Sequence, residues 1–180
     1  VGSEGILGVI TELTMQVHRL PEYKVFEGWL FPDFESGVAA IHECMRMGIM
    51  PMITRLNDPG KTALSAAFKK PDTGLKAQIG AALKWYLRTI KGFDFTQCCM
   101  MTTACEGDYD TFHQQRRESA YIFKRHRGVC LGEGPGRSFQ EAKYDFPHVR
   151  DYLMNRGVMG DVSETATTWD NLLTLYTHTL

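Results

Sequence analysis

Apolar and polar residues alternate along residues 9–17, from Val9 and Ile10 through Thr11, Glu12, Leu13, Thr14, Met15 and Gln16 to Val17. That period of two predicts a half-buried strand, which Pro21 ends. A second strand is expected over 23–31, with Tyr23, Val25, Trp29 and Phe31 on one face and Glu27 interrupting it. The period then changes to that of a helix. Phe34, Val38, Ile41 and Met45 recur on one face, Asp33 is placed to cap the start, and Gly48 suits the end. Residues 50–57 read as a strand, Asp58-Pro59-Gly60 as a turn or helix start, and 62–70 as a short helix stopped by Pro71.

Leu75, Ile79, Leu83, Tyr86 and Ile90 mark a long amphipathic helix closed by Gly92. A strong strand over 97–106 follows, then a helix capped by Asp108 that runs through Phe112, Ala120 and Phe123 to Gly128. Residues 129–131 are a short apolar strand, and Gly132-Glu133-Gly134-Pro135-Gly136 reads as the most flexible loop in the chain. Pro147 suits the first turn of another helix, with Gly157 past its end. A strand is expected over 158–166, and Thr168 is expected to cap a helix of Trp169, Leu172, Leu173 and Tyr176. The alternation predicts an α+β fold: one mainly antiparallel sheet with helices packed on one side. Strands polar on one face suit a sheet with a wet or ligand-facing side. The first strand starts abruptly from a glycine turn and the last helix ends without a cap, so the chain is expected to be an internal slice of a longer protein.

Composition narrows the function. The chain has 180 residues with 20 Lys plus Arg against 21 Asp plus Glu, a net charge of -1. That balance lacks the basic excess of a phosphate-tracking nucleic-acid binder. No apolar run approaches the roughly 20 residues of a membrane helix. The five cysteines, Cys44, Cys98, Cys99, Cys105 and Cys130, form no C-x-x-C pair and are odd in number. They read as reduced core thiols in an intracellular protein, with Cys98 and Cys99 on opposite sheet faces. The six histidines are scattered without metal-ligand spacing, so no metal site is expected.

Four features carry candidate chemistry. Gly2, Gly5 and Gly8 allow close backbone approach to an anionic or planar ligand, although their spacing fits neither G-x-G-x-x-G nor a P-loop and equally suits a tight turn. Arg55 lies mid-strand, flanked by Ile53 and Leu56, where a charge needs an acidic partner in the sheet or a cavity. Arg150 is on the Pro147 helix, where a surface role is the plain alternative. Glu164 and the Gly132–Gly136 loop are either cavity elements or an ordinary ion pair and turn.

The opening string Gly2-Ser3-Glu4-Gly5-Ile6-Leu7-Gly8-Val9-Ile10-Thr11-Glu12-Leu13-Thr14 resembles the last flavin-contacting segment of FAD-linked oxidases of the vanillyl-alcohol oxidase type. Further landmarks are similar to the alkyldihydroxyacetonephosphate synthase branch and its bacterial relatives. They are Phe31-Pro32-Asp33-Phe34-Glu35-Ser36-Gly37-Val38-Ala39, Thr54-Arg55-Leu56, Lys91-Gly92-Phe93-Asp94, Glu106-Gly107-Asp108, Val149-Arg150-Asp151, and Glu164-Thr165 through Trp169. The resemblance implies that residues 1–21 end an FAD-binding domain and 22–180 form the cap, or substrate, domain. It implies FAD contacts at Glu4, Gly5, Ile6, Leu7, Gly8, Val9 and Ile10, an active-site role for Arg55, and substrate binding by Arg150.

The implied reaction exchanges the acyl chain of acyl-dihydroxyacetone phosphate for a fatty alcohol through a flavin N5 adduct, a step of ether-lipid synthesis. The alternatives are an FAD-linked 2-hydroxy-acid or alcohol dehydrogenase or oxidase, and a non-catalytic α+β binding module. The expected partner is a small anionic substrate, a phosphate or carboxylate that can carry a lipid chain, with a second copy of the chain as a candidate partner. The expected setting is the cytoplasm of a bacterium or the peroxisome of a eukaryote. The basic stretch 116–127 and unmatched tunnel side chains depart from the synthase pattern. The 180 residues alone are expected neither to retain FAD nor to turn over.

Overall fold

Nine residues, Tyr23–Phe31, form the central strand β1, whose last six positions are all buried. Cys99–Gly107 (β3) pairs with one edge of it and Val129–Gly132 (β4) with the other, while Ile53–Leu56 (β2) adds to the far edge of β3. All neighbours run antiparallel in the order β2-β3-β1-β4. The computed structural model describes residues 5–67, 74–142, 146–159 and 164–179. Register divides the side chains between two faces. Trp29 sits opposite Met101 and Phe31 opposite Cys99 on one face; Gly28 opposite Thr102 and Leu30 opposite Met100 lie on the other.

The first face carries the main core. Phe34–Arg46 (α1) and Tyr109–Arg125 (α4) cover it, closing Ala40, Cys44, Ile122 and Phe123 over Trp29, Phe31 and Met101. Trp29 and Phe123 meet edge-on at 5.1 Å between centroids. Each of these large side chains contributes about 1.5–3 kcal/mol by leaving water. Both helices start as expected: Asp33 accepts from the Ser36 N–H at 2.7 Å and Asp108 from the Thr111 N–H at 2.8 Å. These caps satisfy donors that the first helical turn leaves unpaired.

Two sequence anomalies explain each other on this face. Glu27, buried at 7% exposure, accepts from Arg116 Nε at 3.0 Å and Nη2 at 2.6 Å. The basic character of 116–127 therefore has a structural use, since Arg125 and His126 likewise reach Glu43 at 2.8 and 2.7 Å.

The second face is reached by helices too, so the layer formed by α1 and α4 is not the only one. Glu133–Ala142 (α5) lies over β1. The stretch 132–136 is thus the end of β4 and the first turns of a helix, not the flexible loop expected. Pro135 suits a first turn. A Cβ at Gly136 would stand 2.5 Å from the Phe26 carbonyl carbon and 2.6 Å from the Glu27 nitrogen, and one at Gly28 would stand 2.6 Å from Pro135 Cβ. Glycine at both positions lets the helix touch the strand's backbone. At the other end, Leu87 from Leu75–Thr89 (α3) joins Phe93, Cys98 and Leu30. Among the described residues of α3 Leu87 is sunk, whereas Ile79, Leu83 and Tyr86 of the expected apolar stripe, and Ile90 just past the helix, are exposed. The Thr62 hydroxyl of Pro59–Ala67 (α2) accepts from the Met100 N–H at 2.9 Å.

Two expected strands are not found among the described residues. Residues 5–20 are exposed and join no ladder: the alternation predicts a face to bury, but no strand of the sheet pairs with it. Residues 158–159 and 164–166 are also exposed and unpaired, and 160–163 lie outside the described residues. Phe146–Met154 (α6) and Leu172–Thr179 (α7) are the predicted last helices. A 3₁₀ turn, Trp169–Asn171, leads into α7, and Thr168 supplies no side-chain cap to its backbone. This tail is stacked on α1, Trp169 on His42 at 4.7 Å and Tyr176 on Phe34 at 3.9 Å between centroids.

All five cysteines are free, and four are buried. Burial pushes the Cys44, Cys98 and Cys105 thiols up to about 11 and Cys99 up to about 12. A thiol reagent at neutral pH should modify Cys130 alone in the folded chain and all five residues after denaturation; rapid reaction of several thiols in the native state would contradict this burial. Gly136→Ala should lower stability by about 1–3 kcal/mol, as overpacking does. The check is the urea midpoint, and an unchanged midpoint would show that α5 does not rest on β1.

Candidate functional site

The candidate site begins with an edge strand. β2 has four residues, and its register sets Arg55 opposite Thr102, in a row that continues to Gly28. Leu56 points the other way, where its methyls meet the Gly37 position of α1. Arg55 therefore belongs to the face on which α5 lies. The row reads Arg55, buried Thr102, then Gly28 beneath Pro135.

Arg55 is exposed, and its guanidinium carbon lies 5.5 Å from the centroid of the Phe139 ring on α5. The described ion pairs involve Lys24 with Glu106, Arg116 with Glu27, Arg125 and His126 with Glu43, Arg137 with Glu133, and Arg150 with Asp151. Among the described residues no carboxylate neutralises Arg55, so the acidic sheet partner is not found. The desolvation cost anticipated for a mid-strand charge is also avoided, because the edge position keeps the N–H donors in water. The arrangement leaves a permanently charged fork over an aromatic ring, with no described hydrogen bond occupying its donors, so they are available to an oxyanion.

Arg150 is placed differently. It is exposed on α6, and its Nη2 and Nε lie 3.1 and 3.2 Å from Oδ1 of its neighbour Asp151. No described contact brings it to Arg55. Two cavities are described, and neither includes either arginine. One, about 160 Å³, lies between β1 and α5 and is lined by Lys24, Phe26 and Arg137 among others. The other, about 540 Å³, is an open groove at the first turns of α4 around Tyr109, His113 and Arg117.

The glycine segment stands apart from the sheet. Gly5 and Gly8 have φ of +76° and +158°, and a Cβ at either would meet nothing within 4 Å. Ile6, Leu7, Val9 and Ile10 are 76–90% exposed. Glu4 lies outside the described residues, and Glu164 is exposed and lines neither of the two described cavities. No group of three or more His, Cys, Asp or Glu side chains able to hold a metal occurs among the described residues, and no described helix is long and apolar enough to cross a membrane.

Sequence reasoning missed Phe139. The signal was present: Pro135 and Phe139 are four apart, hence on one face if the stretch is helical. Reading 132–136 as a loop hid that spacing.

Known proteins resemble the chain along almost its whole length. The family model for FAD linked oxidases, C-terminal domain, matches residues 20–179. The alkyldihydroxyacetonephosphate synthase of Trypanosoma brucei brucei is 40% identical over 92% of this chain and 27% of its own length. The synthase of Dictyostelium discoideum is 35% identical over 98% of the chain and 29% of its own length. A solved structure of an alkyldihydroxyacetonephosphate synthase superposes with a TM-score of 0.80 at 34% identity, covering 97% of this chain and 32% of that one. The chain thus spans under a third of the length of these relatives. A central strand paired on both sides, helices on each face and a match over residues 20–179 place the chain in the family of FAD-linked oxidase C-terminal domains.

Proposed function

We propose that the chain is the substrate-side domain of an FAD-dependent enzyme that exchanges the acyl group of an acyl-dihydroxyacetone phosphate for a fatty alcohol. One observation carries this reading: proteins named as alkyldihydroxyacetonephosphate synthases match 92–98% of the chain at 35–40% identity. The proposal divides the chain near residue 21, just before β1 begins at Tyr23. The compartment would be the cytoplasm in a bacterium or the peroxisome in a eukaryote.

The chain's own residues fit such a role. Gly5 and Gly8 leave open space where a Cβ would stand, so a flat or anionic cofactor can approach the backbone of residues 5–10. When bound, FAD supplies the redox-active isoalloxazine ring. Arg55 holds the substrate phosphate: its fork is uncompensated by any described carboxylate and permanently charged. Arg150 would assist only by exchanging Asp151 for the substrate, a swap between two charge-assisted partners.

In a flavoenzyme carrying this domain, Arg55→Ala should lower kcat/KM for the phosphate substrate about 10- to 100-fold, the effect of losing a charged hydrogen-bonded pair of about 1.5–3 kcal/mol. Arg55→Lys should recover only part of that loss. Unchanged kinetics in Arg55→Ala would overturn the assignment. Flavin reduction by 2-hydroxy acids, without exchange of acyl for alkyl, would replace the transfer reading by a dehydrogenase. The 180-residue chain alone should purify colourless; flavin retained in equal molar amount would contradict the division of labour between the domains.

A further inference from the structure

We infer that Phe139 is a positioning residue for Arg55, and that α5 is the platform aiming this guanidinium at an oxyanion such as a phosphate or carboxylate group. The inference rests on the reading of Arg55 as an anion-binding residue and extends it to a residue and an element without an assigned role.

An arginine on a short edge strand has several side-chain torsions to order, and a disordered fork is a poor anion receptor. Its rotamer freedom is a cost that binding must otherwise overcome. The Phe139 ring, 5.5 Å from the guanidinium carbon, favours one arrangement before any ligand arrives. It does so without using a donor. A carboxylate partner would occupy the N–H groups, whereas no described hydrogen bond occupies them beside the ring, 5.5 Å from the guanidinium carbon.

The ring's place is set by the helix beneath it. Pro135 rests on Gly28 of β1, and Gly136 touches the Phe26–Glu27 backbone. The row Gly28–Thr102–Arg55 crosses three strands, about 10 Å at the usual strand spacing. Phe139 is four residues beyond Pro135, about 6 Å along a helix, and its side chain spans the rest. α5 thus crosses from its anchor on β1 to Arg55 on β2, and the two glycines that admit it to the sheet also set the distance between ring and guanidinium.

The test uses the 180-residue chain and nuclear magnetic resonance. In the unsubstituted chain the Arg55 side-chain protons should be displaced by the ring current of Phe139. Positions typical of a free arginine would overturn the contact. Inorganic phosphate is then titrated while the Arg55 Nε–H signal is followed. Phe139→Leu should abolish the displacement and weaken phosphate binding about two- to fivefold, as loss of an exposed cation–π contact does, while Phe139→Tyr should restore both. Equal phosphate affinity in Phe139→Leu and the unsubstituted chain would overturn the positioning role. The Trp29 indole signal reports whether each variant keeps its core. In the flavoenzyme, Phe139→Leu should raise KM more than it lowers kcat. If Arg55→Ala leaves catalysis intact while the ring-current signature is present, the functional reading of Arg55 fails and the contact stands. If Arg55→Ala is impaired and Phe139→Leu is not, this inference alone fails.

Discussion

The close approach of α5 to β1 is the contact on which the rest of the site depends. Side chains on both elements normally hold a helix off a sheet. Here Gly28 and Gly136 remove those side chains where the elements cross, and Pro135 fills the space. The second face of the sheet is thereby given a fixed object beside its edge strand. Without it Arg55 would be a solvated charge at the margin of a small sheet; with it the guanidinium has an aromatic neighbour and open donors.

The first face supplies the rigidity. Trp29, Phe31, Met101, Ile122 and Phe123 form one apolar cluster. The buried Glu27 carboxylate is matched by Arg116 from the helix above it. A lone buried carboxylate would be costly, and the pair also ties α4 to the strand in one register. The same β1 therefore carries the core on one side and the α5 platform on the other. Site geometry and fold stability share a strand, so substitutions in the core are expected to reach the site through β1.

Much of the fold was legible in local chemistry. The caps at Asp33 and Asp108 and the strands around Trp29 and Met101 follow from period and capping residues alone, and the final helices follow from period, without the cap expected of Thr168. What failed has a common physical cause. Residues 9–17 and 158–166 alternate as strands do, but alternation encodes a buried face, not the partner that buries it, and the described parts of both stretches lie outside the four-stranded sheet. The Gly132–Gly136 stretch looks flexible when glycine is read as freedom; in the fold residues 133–136 begin a helix, and Gly136 is needed there for proximity to β1. Arg55 was identified from its resemblance to a family motif, whereas Phe139 required knowing that α5 is a helix and where it crosses.

The central claim is that this domain presents Arg55 to the phosphate of its substrate. A crystal structure of the flavoenzyme carrying this domain, with dihydroxyacetone phosphate bound, tests it most directly. The account predicts phosphate oxygens at about 3 Å from the Arg55 guanidinium nitrogens, with the Phe139 ring against the guanidinium face. A phosphate held by other residues, with Arg55 directed away from it, would contradict the account.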